Sequence, residues 1–362
     1  MKILTVVGNR PQFIKAAAVS GPLRERHEEI LVHTGQHHDD SLSRVFFTEL
    51  GLARPDRELA IGGGTNSEQI ARMLAALGPA LAQERPDAVL VYGDTNSTLA
   101  GALAAAQAQF PVVHVEAGMR SFDHTMPEEL NRVLTDHIGD LLLCASETAE
   151  ANLRAESVRG RIELVGDVMV DLALQLQESV RANQSTLATH DLVPGGYLLL
   201  TAHRAGNVDD PARLRALVEL VKALPGPVVF PIHPRTRRRL AEAGLAQELA
   251  GRDWLRLTEP LGYVEFGALL SHARAVLTDS GGVQKEAYLA GVPCVTLRDS
   301  TEWVETVAAG WNTLVDLDAT AALAALARTP PAERPALYGD GRAAERCVRA
   351  ITSFSEADGR RG

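Results

Sequence analysis

The chain has 362 residues, 46% hydrophobic and 23% charged, which is two to three times the commonest domain size and rich enough in apolar side chains for two cores. Aromatic residues at 4% and a formal net charge of −10 exclude a base-stacking platform and a broad basic groove, so nucleic acid is not an expected partner. No run of about 18 apolar residues occurs, the start lacks a signal-peptide pattern, and the 3 cysteines are scattered without a CxxC pair; the expectation is a cytoplasmic chain with no membrane segment and no zinc site.

The first half alternates short apolar runs with helical spacing. Runs at 2–7, 30–33, 88–92, 112–116 and 141–146 are strand candidates, and 11–23, 67–82 and 97–109 carry apolar residues at helical intervals. Runs of this kind without polar alternation suit parallel strands covered on both faces, so the class is a doubly wound α/β sheet. A second series follows at 197–201, 228–232, 255–257, 275–278, 293–297 and 313–315, which implies a second sheet. The polar, weakly patterned stretch 171–194 divides them: a first Rossmann-like domain over 1–170, a second over 171–340, and a C-terminal helix over 341–362.

In open parallel sheets ligands bind beyond the carboxyl ends of the strands, so the loops there are the candidate site. After the first strand, Gly8-Asn9-Arg10-Pro11-Gln12-Phe13-Ile14-Lys15 puts Arg10 and Lys15 near a helix N-terminus, where an anion is favoured; a capping arginine and a solvated lysine would give the same spacing. Gly93-Asp94-Thr95-Asn96 and His114-Val115-Glu116-Ala117-Gly118-Met119-Arg120 each set a carboxylate at a strand end beside a glycine. Pro127-Glu128-Glu129-Leu130-Asn131-Arg132 opens a helix with acids, which also simply complements a helix dipole. Asp94, Glu116 and Glu128 converging on one place would be a general acid/base set.

In the second half, Ala202-His203-Arg204 and His233 follow strand runs. The most specific local pattern is Asp279-Ser280-Gly281-Gly282-Val283-Gln284-Lys285-Glu286, a strand end, a small-residue turn and a helix start whose first N–H groups no side chain obstructs, the geometry of a pyrophosphate cradle. Glu286, one turn on, could hold a ribose diol. Neither GxxxxGK[ST] nor GxGxxG after the first strand is present, which weakens a nucleotide hydrolase and a nicotinamide enzyme.

Taken in order, these segments resemble the motifs of the non-hydrolysing UDP-N-acetylglucosamine 2-epimerases over about residues 1–310. The resemblance implies a GT-B fold, two Rossmann-like doubly wound domains facing across a cleft with the C-terminal helix returning to the first, a homodimer, and interconversion of UDP-GlcNAc and UDP-ManNAc through UDP elimination to 2-acetamidoglucal and re-addition. It implies acid/base and sugar-positioning roles for Asp94, Glu116 and Glu128, and His203 near the diphosphate. It also implies UDP contacts from Arg10, Lys15, Ser280, Gly281, Gly282 and Glu286, and substrate positioning by Arg120, Arg132, Arg204 and His233. No redox cofactor or metal is implied, because UDP leaves and returns without net redox change; which carboxylate takes the proton stays open.

The pattern has departures. Gln12 stands where better-known members have glutamate, and Gly206 removes the carboxylate of Arg-Xaa-Glu-Asn after the histidine. Trp303 replaces a common arginine, and Lys285-Glu286-Ala287-Tyr288 resembles a branch that includes epimerases of UDP-2,3-diacetamido-glucuronic acid, which keeps that substrate as an alternative. Gln36-His37-His38-Asp39-Asp40 keeps only the first glutamine of the segment that lines the family's allosteric site, so altered regulation is expected. A GT-B glycosyltransferase and a silent sugar-nucleotide sensor are the other readings.

Overall fold

A computed structural model describes residues 1–36, 50–182 and 184–358. The chain divides into one unit of Met1–Gln175 with Ala336–Gly362 and another of Leu176–Pro335.

The first unit is built on a seven-stranded sheet: β1 (Lys2–Val7), β2 (Glu28–His33), β3 (Arg57–Glu58), β4 (Ala88–Tyr92), β5 (Val112–Ala117), β6 (Leu141–Cys144) and β7 (Arg161–Leu164). The order is β3-β2-β1-β4-β5-β6-β7, all pairs parallel. β1, β4 and β6 bury nearly every residue, as strands covered on both faces must. Helix Asn96–Gln107 lies hard against the sheet: a Cβ on Gly101 would sit 3.0 Å from Val91 and 3.2 Å from Val6, so only a residue without a side chain allows this approach. Met73, Leu77 and Leu81 of helix Asn66–Glu84 join Val6, Val89 and Val91 in the core on that face.

Helix Ala343–Asp358 returns to this unit. Asp171 accepts the N–H groups of Ala343 (3.1 Å) and Ala344 (2.6 Å) at its start, and His27 Nε2 meets Thr352 Oγ1 at 2.8 Å farther along, beside helix Arg10–Arg24. The first four N–H groups of any helix have no acceptor within it, and the buried Asp171 answers two of them here.

The second unit has six parallel strands: β8 (Leu198–Thr201), β9 (Val228–Pro231), β10 (Leu255–Thr258), β11 (Ala275–Thr278), β12 (Cys294–Thr296) and β13 (Asn312–Leu314), ordered β10-β9-β8-β11-β12-β13. Its core is aliphatic, with Leu200, Leu217, Val218, Val221, Phe230 and Leu277 fully buried. Strand order reverses between β1 and β4 in one unit and between β8 and β11 in the other. Those two switch points are where a crevice opens at the strand ends, and the singled-out loops follow these four strands and their neighbours β5 and β9.

Candidate active site

In the first unit, Asn9 caps helix Arg10–Arg24 and Pro11 occupies its first turn. Gln12, buried, accepts from Gly8 N (2.7 Å) and donates to Tyr92 O (3.0 Å) and Thr98 Oγ1 (2.9 Å), tying the end of β1 to that of β4. Arg10 is half-buried at the helix start. Lys15 is buried, and its ammonium donates to Glu116 Oε2.

Glu116 has φ +70°, left-handed backbone that a glutamate rarely adopts, at an irregularity where the β5–β6 register shifts between Val115 and Ala117. Gly93, at φ +64°, lies under the pair: a Cβ there would be 2.9 Å from Lys15 Nζ and 3.3 Å from Glu116 Oε2. Asp94 follows, with Oδ2 held by Arg132 Nη2 and its side chain 31% exposed.

Arg132 is buried and bridges Asp94 to Glu129 (2.9 Å). Glu129 also accepts from Ser121 N, Ser121 Oγ and Phe122 N, each at 2.9 Å. So of the two first-turn acids the second is a buried clasp for the 121–122 loop, while Glu128 is half-buried and makes no hydrogen bond or ion pair among the described residues.

Behind these loops, His114 Nδ1 faces Asp136 Oδ1 and Nε2 faces Gly93 O, both at 2.7 Å, so both ring nitrogens meet acceptors. Asp136 Oδ2 accepts from Gly118 N (3.0 Å) and Arg120 Nη1 (2.7 Å). Burial works to raise the Asp136 carboxyl, but His114 and Arg120 outweigh it and hold it below the usual carboxylate range. Arg120 also grips both oxygens of Glu156 at 2.7 Å and donates to Met119 O at 2.7 Å. Its guanidinium thus faces inward, bracing the strand ends that carry Asp94 and Glu116.

In the second unit, Asp279 at the end of β11 is fully buried and accepts from His203 N (3.0 Å), Arg204 N (3.0 Å) and Asn207 Nδ2 (3.2 Å). His203 Nδ1 approaches Asp279 Oδ1 at 3.5 Å, and its ring stacks on His233 with centroids 5.3 Å apart. His233 caps helix Pro234–Glu242, accepting from Arg235 N at 3.1 Å. A side chain at Gly206 would meet open space.

Helix Gly281–Ala290 starts at Ser280 with no side-chain cap, which leaves its first N–H groups for something else. A Cβ on Gly281 would collide with Glu302 Oε1, whereas one on Gly282 would find only Ser280 Oγ, at 3.9 Å. Glu302 is buried between Arg298 (2.9 Å) and Arg204 (3.6 Å). Lys285 is buried with its ammonium 4.2 Å from the Trp303 ring centroid, a cation–π pairing one turn into the helix. Glu286 is half-buried beside it.

The family model for UDP-N-acetylglucosamine 2-epimerase matches residues 23–352. The chain belongs to that family. Its curated relatives include a UDP-N-acetylglucosamine 2-epimerase homolog of Methanococcus maripaludis, 45% identical over 98% of this chain and 100% of the relative. A UDP-2,3-diacetamido-2,3-dideoxy-D-glucuronate 2-epimerase of Pseudomonas aeruginosa is 46% identical over the same shares of each. The crystal structure of the Methanocaldococcus jannaschii UDP-GlcNAc 2-epimerase in complex with UDP-GlcNAc and UDP superposes with a TM-score of 0.92 at 41% identity, covering 98% of this chain and 100% of that one. This epimerase therefore has the GT-B class of fold, two Rossmann-like parallel-sheet domains, and an isomerase's activity. No helix among its described residues is long and apolar enough to cross a membrane.

Sequence reasoning missed Gln12, His114, Glu129, Asp136 and Asp279 as site-builders. Each is a buried polar side chain with several partners; a polar residue inside an otherwise apolar strand, as His114 is, was the one available signal.

Proposed function

We propose that this epimerase interconverts UDP-GlcNAc and UDP-ManNAc. A carboxylate takes the C2 proton as the C1–O bond to the diphosphate breaks, giving 2-acetamidoglucal and UDP. Re-addition then returns UDP to C1 and a proton to the opposite face of C2. The observation that carries the reading is the linked set Glu116·Lys15·Gly93-Asp94·Arg132·Glu129-Glu128, which gathers three carboxylate-bearing loops at the strand ends of one unit. The C2 hydrogen is weakly acidic, so departure of the diphosphate must assist, and a general base of this kind contributes roughly 10²- to 10⁴-fold.

In this reading Asp94, Glu116 and Glu128 share the acid/base and sugar-positioning work, with Arg120 and Arg132 setting the loops that present them. Ser280, Gly281 and Gly282 offer backbone N–H groups to the diphosphate, His203 and Arg204 steady it as it leaves, Glu286 takes the ribose, and Arg10 adds to the anion site. His233 orients His203 by stacking. The proposal extends to a cytoplasmic homodimer, with the free, buried state of Cys144, Cys294 and Cys347 in keeping with a reducing compartment; light scattering tests the dimer.

The test is incubation with UDP-GlcNAc alone in deuterated water. Deuterium at C2 and formation of UDP-ManNAc without any acceptor are expected; neither appearing sinks the reading and favours a glycosyltransferase or a sensor. A second substrate, UDP-2,3-diacetamido-glucuronate, is supported by the 46% identical Pseudomonas aeruginosa relative. Running both sugar nucleotides side by side decides between them by kcat/KM. Residues 37–40 of the segment expected to bear on regulation lie outside the described residues, while Gln36 accepts from Ser97 N and Oγ (3.0 and 2.7 Å).

A further inference from the structure

We infer that Lys15 is a positioning residue for the Glu116 carboxylate and not a ligand of the diphosphate, an inference that rests on the epimerase reading above. Its spacing from the helix start suits an anion contact equally well, so the decision comes from where the side chain goes. The Lys15 and Glu116 side chains are 8% and 9% exposed and paired with each other. An ammonium held this way against a carboxylate forms a neutral couple, and a neutral couple exerts little pull on a dianionic diphosphate.

Three features build the couple. Gln12, one turn before Lys15, is bonded to Gly8 N, Tyr92 O and Thr98 Oγ1, which fixes the helix start against the ends of β1 and β4. Gly93 has no side chain where a Cβ would stand 2.9 Å from the ammonium and 3.3 Å from the carboxylate oxygen. Glu116 adopts φ +70° at the β5 irregularity, a left-handed backbone that a glutamate adopts only at a cost, and this turns its side chain toward this spot. Residues held in such conformations persist only where their surroundings over-determine them, and the buried Lys15 ammonium is part of those surroundings here. One oxygen fixed by a charge-assisted bond leaves the carboxylate with a set orientation for proton transfer at C2.

The experiment is a double-mutant cycle on Lys15→Met and Glu116→Gln, read by UDP affinity in calorimetry and by deuterium entry at C2 of UDP-GlcNAc or of the diacetamido-glucuronate, whichever the wild type turns over. Lys15→Met should leave the UDP dissociation constant within about twofold and cut C2 exchange by about 100-fold or more. In the Glu116→Gln background the same change should cost little further, because Lys15 then has no carboxylate to orient. The double variant, which contains no buried charge at the pair, keeps the test alive should Lys15→Met alone fail to fold. A tenfold or greater loss of UDP affinity in either background, or losses of exchange that multiply across the cycle, overturns the inference. Absence of exchange in the wild type itself would instead sink the epimerase reading, and UDP affinity would still decide whether Lys15 touches the diphosphate.

Discussion

His114 and Asp136 meet at 2.7 Å with neither side chain exposed, one on β5 and the other on the helix that packs behind it. Through them Gly93 O and Gly118 N, backbone groups of the two loops bearing Asp94 and Glu116, are joined to one carboxylate. Removing that charge should therefore be expensive. Asp136→Asn leaves His114 and Arg120 without their shared anion, and breaking a buried pair of this kind costs about 3–5 kcal/mol. Denaturant unfolding should show a loss of that size.

The same carboxyl gives a pH dependence. Its folded pKa lies below the unfolded value, so its stabilisation is fully present above the unfolded range near pH 4 and is lost as pH falls through the lower folded value. The gap in stability between the wild type and Asp136→Asn should be constant from pH 5 to pH 7 and narrow below pH 4; a gap that widens on acidification contradicts the assignment.

Asp279 does for the second unit what Asp136 does for the first. It accepts from both His203 N and Arg204 N, and such bonds to a charged acceptor are worth about 1.5–3 kcal/mol each. Asp279→Asn turns one acceptor into a donor facing N–H groups. Faster amide exchange over 203–208 and a UDP dissociation constant raised at least about tenfold are expected. An unchanged affinity would detach this turn from the ligand.

The neighbouring glycines separate packing from ligand approach. Gly281→Ala drives a methyl into Glu302, so it should destabilise the fold and weaken UDP binding together. Gly282→Ala meets only Ser280 Oγ, at an ordinary contact distance of 3.9 Å, in a helix and should be neutral or stabilising by up to about 1 kcal/mol. If Gly282 is glycine to let a phosphate approach, its alanine variant loses UDP affinity at least tenfold while keeping its melting temperature. Retained affinity would remove Gly282 from the cradle.

The strand ends were legible in sequence because parallel strands buried on both faces are apolar runs that stop where polar loop residues begin. Both sheets and the loops after β1, β4, β5, β8 and β11 follow from that. The edge strands β3 and β7 were not legible: Arg57–Glu58 and Arg161–Leu164 have no buried face along their length. Nor was the partner of Lys15, which lies 101 residues away; helical spacing places an ammonium near a helix start and is silent on what faces it. Glu128 and Glu129 are interchangeable as first-turn acids, and only burial separates a half-buried carboxylate from a loop clasp. Arg120 reads as a cation for substrate until its four bonds to Glu156, Asp136 and Met119 are seen.

The backbone of Glu116 gives the last prediction. At φ +70° a residue with a full side chain is strained, and asparagine tolerates this region better than glutamine. Placed in the Lys15→Met background, where no buried ammonium is left uncompensated, Glu116→Asn should be more stable than Glu116→Gln by about 1 kcal/mol. Both should be inactive in C2 exchange. The comparison holds charge constant and varies the residue's tolerance of left-handed backbone, so a positive difference measures strain kept in the fold for the sake of the carboxylate. Equal stabilities would mean that the β5 irregularity costs nothing, and the turn of Glu116 toward Lys15 would then need no functional explanation.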